Sequence, residues 1–199
     1  MERRSRLLDT EPGTKMTLRE RRNIILCGFM ATGKTSVGKK LAAMTGREFL
    51  DMDAVIEQEA GISIPQIFSS RGERAFRKLE SLLVERLVDQ TGFVIATGGG
   101  TVVDAQNREK LKQCGVVIAL MADIPTILRR AGSAEDRPML AGDRLERIRT
   151  LMEQRAPAYA QADIVVDTSA LCVEEVAQLI LNRLQEFGYD WSRPEIRQD

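Results

Sequence analysis

No histidine occurs among the 199 residues of this chain. That absence excludes an imidazole base, a histidine-ligated zinc and a serine–histidine pair, and leaves proton transfer to Asp, Glu, Lys or Tyr. Net charge is absent too. The 29 Lys and Arg balance the 29 Asp and Glu, so no global field draws the chain towards nucleic acid or an acidic membrane. No apolar run approaches bilayer length; the densest, Val116–Ala122, suits a buried strand. The expected partners are therefore small molecules, not nucleic acid and not a membrane. Cysteine is scarce. Cys27, Cys114 and Cys172 lie far apart with no CxxC among them, which reads as plain buried thiols in a reducing, cytoplasmic compartment.

What is present is concentrated at residues 28–35, Gly-Phe-Met-Ala-Thr-Gly-Lys-Thr. This is the Walker A pattern: glycine, four residues, then Gly-Lys-Thr. Its context fits. The apolar run Ile24–Cys27 enters it as a buried strand would, and Val37, Leu41 and Met44 leave it at helical spacing. Such a loop curls its amides into an anion nest, and the helix behind it adds the positive end of its dipole. Lys34 then reaches the β- and γ-phosphates, and the Thr35 hydroxyl is a Mg²⁺ ligand. The chain is expected to bind a nucleoside triphosphate.

At this length a single domain with a proper core is expected. Residues 1–20 are polar and charged and read as a flexible leader, with Met16 an alternative start; residues 191–199 read as a tail. Between them strands are expected at Ile24–Cys27, Glu48–Leu50, Phe93–Ala96, Val116–Leu120 and Ile164–Val166, alternating with helices. Helices are expected at Lys34–Thr45, Ala54–Ala60, Ile64–Ser70 (opened by a capping box at Ser63), Glu73–Asp89, Ala105–Gln113, Pro125–Arg130 and Asp143–Tyr159. A last amphipathic helix carries Val173, Val176, Ile180 and Leu184. Ala131–Gly142 reads as a loop. Five short apolar strands alternating with helices mean an α/β fold with a mostly parallel sheet, whose ligands bind at the carboxyl ends of the strands.

Several residues near those ends can do chemistry. Asp51 and Asp53 follow the second strand. One suits a hydrated Mg²⁺ and the other the proton of an acceptor hydroxyl, although Asp53 is also a good helix cap. Gly98, Gly99 and Gly100 close the third strand, as a tight turn or for close approach of a substrate. Arg77, with Glu73 and Glu80 at helical spacing, equally fits a surface ion-pair set. Arg155 falls on one stripe with Leu145, Ile148, Met152 and Tyr159. A core-facing arginine needs either a carboxylate partner or an anionic ligand. Arg137, in the loop, invites an arginine-finger role.

Taken in order, these motifs resemble shikimate kinase, a small member of the nucleoside-monophosphate-kinase-like P-loop group. The resemblance runs from about Asn23 to Leu184. It rests on residues 28–36, Asp51-Met52-Asp53 with Ile56-Glu57, Gly61–Ile64 with Ile67-Phe68, Gly72-Glu73 with Phe76-Arg77 and Glu80, Ala96–Gly100, Arg137–Leu140, and Arg155-Ala156-Pro157 with Tyr159. It implies a three-layer P-loop kinase fold, a five-stranded parallel sheet flanked by helices, as one domain over residues 21–190. The substrate lobe would span about 52–80 and the lid about 131–142. It implies ATP as co-substrate, Mg²⁺ as cofactor, shikimate as acceptor through its 3-hydroxyl in aromatic amino acid biosynthesis, and a monomer. By likeness, Ala31, Thr32, Gly33, Lys34, Thr35 and Ser36 hold the nucleotide with Arg130 and Arg137. Asp51 holds a metal-bound water, Asp53 is the base, and Arg77, Arg155 and the Gly98–Gly100 turn grip the acceptor. Lys34, Asp53 and Arg137 are the catalytic set. Two departures stand out: Ala31 where many members have glycine, a change of little expected weight, and no arginine after Asp167-Thr168.

The alternatives are another small-molecule kinase of the same fold, such as a gluconate-type kinase, and a nucleotide-binding regulatory switch. The second has little support, since Asp89-Gln90-Thr91-Gly92 spells DxxG before a strand rather than after one and no Asn-Lys-x-Asp occurs.

Overall fold

Runs of apolar residues that alternate between two greasy sides have nowhere to go but the middle of a layered fold. The computed structural model, which describes residues 22–131 and 144–189, gathers them into one parallel sheet. Its strands are β1 (Asn23–Gly28), β2 (Glu48–Asp51), β3 (Phe93–Ala96), β4 (Gly115–Met121) and β5 (Ile164–Asp167), in the order β2-β3-β1-β4-β5. Ile24 and Leu26 face one side with Ile118 and Leu120, and Ile25 and Cys27 face the other with Val117 and Ala119. On the first side lie α1 (Lys34–Thr45) and α7 (Val173–Glu186). Val176, Ala177, Ile180 and Leu184 are the apolar stripe of α7, each about 0–1 % exposed. Burying each larger one is worth roughly 1.5–3 kcal/mol. On the second side lie α2 (Met52–Ala60), α3 (Ile64–Leu87), α4 (Ala105–Cys114), α5 (Ile124–Arg130) and α6 (Arg144–Tyr159). The result is the expected three-layer α/β fold with a five-stranded parallel sheet.

Local signals act where the sequence places them. Gly46, at φ 68°, ends α1. At the start of α3, Gln66 Oε1 accepts from Ser63 N at 2.9 Å and Ser63 Oγ from Gln66 N at 3.4 Å, completing the capping box. Gly72 breaks α3 at φ 77°, ψ 167°, so its two halves correspond to the two helices expected on either side of residue 72. Four differences emerge. A 3-10 turn, Thr101–Val103, follows the glycine-rich segment. Asp51, not Asp53, caps α2, its Oδ1 accepting from Asp53 N at 3.1 Å. Leu145 is 43 % exposed, so the buried stripe of α6 begins at Ile148; periodicity marks a face, and only the turns covered by a partner surface are buried. Cys172 is exposed, while Cys27 and Cys114 are buried. The expected leader and tail, the lid beyond Ala131, and Arg137 lie outside the described residues. Among the described residues no helix is long and apolar enough to cross a membrane.

β1 sits at the centre, and the chain leaves it first towards β2 and β3 and later towards β4 on the opposite side. Ligand crevices open at such a reversal, above the strand carboxyl ends. At the amino end of the strands, opposite this crevice, Asn23 is fully buried. Its Nδ2 donates to Gln90 O at 2.7 Å and its Oδ1 accepts from Phe93 N at 3.0 Å, tying β1 to the turn that enters β3. Asn23→Ala would strand both main-chain groups and should cost about 2–4 kcal/mol in a urea melt. A loss under ~0.5 kcal/mol would mean water replaces the amide at no cost.

Candidate active site

A cleft of about 990 Å³ opens at the carboxyl ends of β1, β2 and β3. β1 ends at Gly28, whose φ of 135° and contact with the Leu120 carbonyl leave no room for a Cβ. The loop beyond it turns into α1, which starts without a capping side chain. Thr32 is buried and its Oγ1 donates to Phe29 O at 2.8 Å. Lys34 Nζ donates back to Gly28 O at 3.1 Å and Phe29 O at 2.9 Å, across the mouth of the loop. Ala31, Thr32, Gly33, Lys34, Thr35 and Ser36 all border the cleft. Ala31 has φ 62°, a left-handed conformation that costs an alanine about 1–2 kcal/mol. Its replacement of glycine therefore carries a backbone penalty at the phosphate loop, contrary to the small weight expected of it.

The acidic groups meet beside this loop. Thr35 Oγ1 donates to Asp51 Oδ2 at 2.9 Å, which brings a hydroxyl and a carboxylate together at the end of β2. Because Asp51 caps α2, Asp53 is released from that duty and sits in the first turn of the helix. Its Oδ1 is buried and bonds to nothing among the described residues. Burial first, then Asp51, with Glu80 and Glu57 adding, pushes its pKa from 3.8 up to about 6, against the pull of Lys34.

The two arginines approach the glycine turn from different helices. Arg77 on α3 donates through Nη1 to Glu80 Oε2 at 2.6 Å and through Nη2 to Glu73 Oε1 at 2.9 Å. Glu80 is 1 % exposed, and its Oε1 accepts from Thr101 Oγ1 at 2.5 Å. Arg77 is therefore both an ion-pair member and a wall of the cleft. Arg155 on α6 is 8 % exposed and lies 5.7 Å from the Phe29 ring centre. Among the described residues no carboxylate forms an ion pair with it. A Cβ on Gly100 would overlap the Arg77 guanidinium, and one on Gly99 would come to 3.4 Å from Arg155 Nη1. A Cβ on Gly98 would overlap Glu80 and reach 3.0 Å from Asp53 Oδ1. So the glycines serve close approach, and Arg77, Arg155 and Asp53 meet at one turn. At the other end, Arg130 donates to Thr168 Oγ1 at 3.0 Å and Thr168 O at 2.7 Å.

Three contributors carry little sequence signal. The burial of Glu80 is readable in hindsight, since Phe76, Leu83, Val84 and Leu87 share its stripe. Thr101 opens the 3-10 turn and Thr168 follows β5, and no pattern distinguishes these short hydroxyls from other turn residues.

The family model described as shikimate kinase matches residues 30–185. A shikimate kinase of Caldanaerobacter subterraneus subsp. tengcongensis is 45 % identical over 80 % of this chain and 94 % of its own. One of Pelotomaculum thermopropionicum is 43 % identical over 84 % and 98 %. The solved structure of the Acinetobacter baumannii shikimate kinase in complex with shikimate superposes with a TM-score of 0.81 at 37 % identity, covering 85 % of this chain and 96 % of that one.

The charge on Asp53 has a testable cost. Its proton is lost near pH 6 in the folded protein and near 3.8 in the unfolded chain, so folding stability falls as pH rises between those values and stays low above them. Asp53→Asn removes the titration. Without ligands, the variant should be more stable than the parent by about 1–3 kcal/mol at pH 7.5, with the gap closing towards about pH 4 in paired melts. A gap independent of pH would show that Asp53 ionises normally.

Proposed function

The chain belongs to the shikimate kinase family, and on that premise we propose the division of labour by which its cleft moves the γ-phosphoryl group of ATP to the 3-hydroxyl of shikimate, giving shikimate 3-phosphate and ADP. The observation that carries the assignment of roles is Arg155, a buried guanidinium with no carboxylate beside it among the described residues, facing the same turn as Arg77 and Asp53. A buried positive charge demands an anion, and an arginine fork matches a carboxylate. The acceptor would bring one.

The loop 31–36 and the α1 dipole hold the ATP phosphates, with Lys34 swinging from the carbonyls of Gly28 and Phe29 onto the β- and γ-oxygens. Arg77 and Arg155 take the carboxylate of shikimate, and the Gly98–Gly100 turn lets its ring settle close to the main chain. Asp53 then faces the 3-hydroxyl. The hydroxyl oxygen bonds to the γ-phosphorus, the bond from phosphorus to the β–γ bridging oxygen breaks, and the proton passes to Asp53. A carboxylate that titrates near pH 6 is ionised at neutral pH yet basic enough for the task. Arg130 belongs to the nucleotide end. Arg137 would counter charge on the moving phosphoryl group, within a lid of about 131–142 closing over a substrate lobe of about 52–80, which keeps water from the γ-phosphate.

Thr35 would hold Mg²⁺ directly and Asp51 through a metal-bound water. Their hydroxyl and carboxylate oxygens lie 2.9 Å apart, which suits a hard cation that takes oxygen ligands. When bound, it would supply neutralisation of the phosphate charge. Every group assigned here comes from one chain, so a monomer suffices, and a cytoplasmic setting fits the buried thiols of Cys27 and Cys114.

A coupled assay of ADP release should respond to shikimate and not to gluconate or nucleoside monophosphates; release driven only by an acceptor lacking a carboxylate would overturn the assignment of the arginines. Arg155→Ala should weaken shikimate binding by about 2–5 kcal/mol, the usual loss for a desolvated charge-assisted pair, and leave ATP binding nearly unchanged. Equal weakening of both ligands in calorimetry would point to collapse of the cleft instead.

A further inference from the structure

Three consecutive glycines make a poor instrument. They lose more backbone freedom on ordering than any other run of residues, yet the proposed acceptor site needs the Gly98–Gly100 turn at a fixed spacing from two arginines. Something outside the turn must hold it. One end is pinned locally, since Gly98 O accepts from Thr101 N at 3.3 Å and from Thr97 Oγ1 at 3.1 Å. The middle is held from α6: Tyr159 Oη donates to Gly99 O at 2.6 Å.

Tyr159 is 1 % exposed, with its ring in the core beside Phe29 and Ile148. A buried phenol must find a partner, and many main-chain carbonyls would serve. This one is at the proposed acceptor site. Tyr159 stands one turn beyond Arg155 on the same face of α6, close enough for the Arg155 charge to oppose the burial that raises its phenol pKa. The peptide between Gly99 and Gly100 is planar and trans. Fixing the Gly99 carbonyl therefore fixes the Gly100 N–H antiparallel to it, in a turn that borders the cleft. A Cβ built on Gly99 would come to 3.5 Å from Gly28 O and 3.8 Å from Met30 N, so the same turn abuts the entrance of the phosphate loop. The carbonyl that this hydroxyl holds thus belongs to a turn with Arg155 on one side and the nucleotide cradle on the other.

We propose that Tyr159 is a positioning residue for the acceptor, its hydroxyl latching Gly99 and aligning Arg155 so that one carboxylate meets the turn and the guanidinium together. The proposal rests on the assignment of this cleft to shikimate. It predicts a split that a merely structural phenol does not. In Tyr159→Phe the ring still fills the core, so the fold persists. The KM for shikimate should rise about 5–20-fold, as for loss of a hydrogen bond to a charged or aligned group. The KM for ATP and the dissociation constant of ADP should stay within about twofold. Because Tyr159 acts through Arg155 as well as Gly99, the effects of Tyr159→Phe and Arg155→Lys on shikimate affinity should be less than additive in a double-mutant cycle.

An unchanged shikimate KM in Tyr159→Phe, a parallel rise for ATP, or full additivity with Arg155→Lys would each overturn the role. Failure of the underlying assignment looks different. There the parent protein itself would release no ADP in response to shikimate, whereas a parent that turns shikimate over beside an unaltered Tyr159→Phe sinks only the latch.

Discussion

Arg155 carries a positive charge into a position 8 % exposed, and among the described residues no carboxylate answers it. Burying a charge without a counter-charge is among the costliest things a fold can do. Here the cost is softened by the Phe29 ring face, which stabilises a guanidinium without neutralising it. Arg77 is the contrasting case. Glu80 and Glu73 hold it within 2.6 and 2.9 Å, so its charge is compensated and its fork is aimed before any ligand arrives. One arginine supplies orientation and the other supplies unmet attraction. Their shared neighbour, the Gly98–Gly100 turn, makes them one site.

The same cleft holds an opposing imbalance. Asp51, Asp53, Glu57 and Glu80 crowd the end of β2 and the faces of α2 and α3, and the field of the other three helps burial raise Asp53 to about pH 6. Lys34, at the end of the loop behind, pulls the other way. The folded protein therefore stores electrostatic stress of both signs at short range, and on the proposed assignment each would be relieved by a different part of a ternary complex. Such sites trade stability for function, and the left-handed backbone of Ala31 adds a steric contribution beside them.

Much of this is legible in the order of the amino acids, for identifiable reasons. Strand runs and helix stripes are set by burial on a two-sided sheet, so β1 and α1 fall within a residue or so of their expected bounds. Ser63, Gly46 and Gly72 act through local backbone chemistry and can be read in place. The phosphate loop is legible because its function is made by main-chain geometry that only certain residues permit. Arg155 announced itself by breaking an apolar stripe. What stayed hidden depended on contacts between distant segments. Asp53 looked like the cap because it precedes an apolar helix, and only the path of β2 into α2 gives that role to Asp51. Glu80 reads as an exposed partner of Arg77 until α3 is packed against the 3-10 turn and Thr101 closes on it. The weight of Ala31 lies in a dihedral angle, which a tolerant motif does not encode.

The two imbalances together restrict the acceptor more than either alone. A phosphate acceptor, as in a nucleoside monophosphate, would satisfy the arginines. It is already a nucleophile, however, and needs no base, and its charge would be repelled by an ionised Asp53 at the turn. A neutral sugar would tolerate Asp53 but leave Arg155 buried and unanswered. A molecule with a carboxylate at one end and a secondary alcohol a ring's width away meets both demands, since the alcohol arrives neutral and gives up its proton only as the new bond forms. On the proposed assignment Asp53 and Arg155 would select for the two ends of such a ring, and the glycine turn between them would set how thick that ring can be.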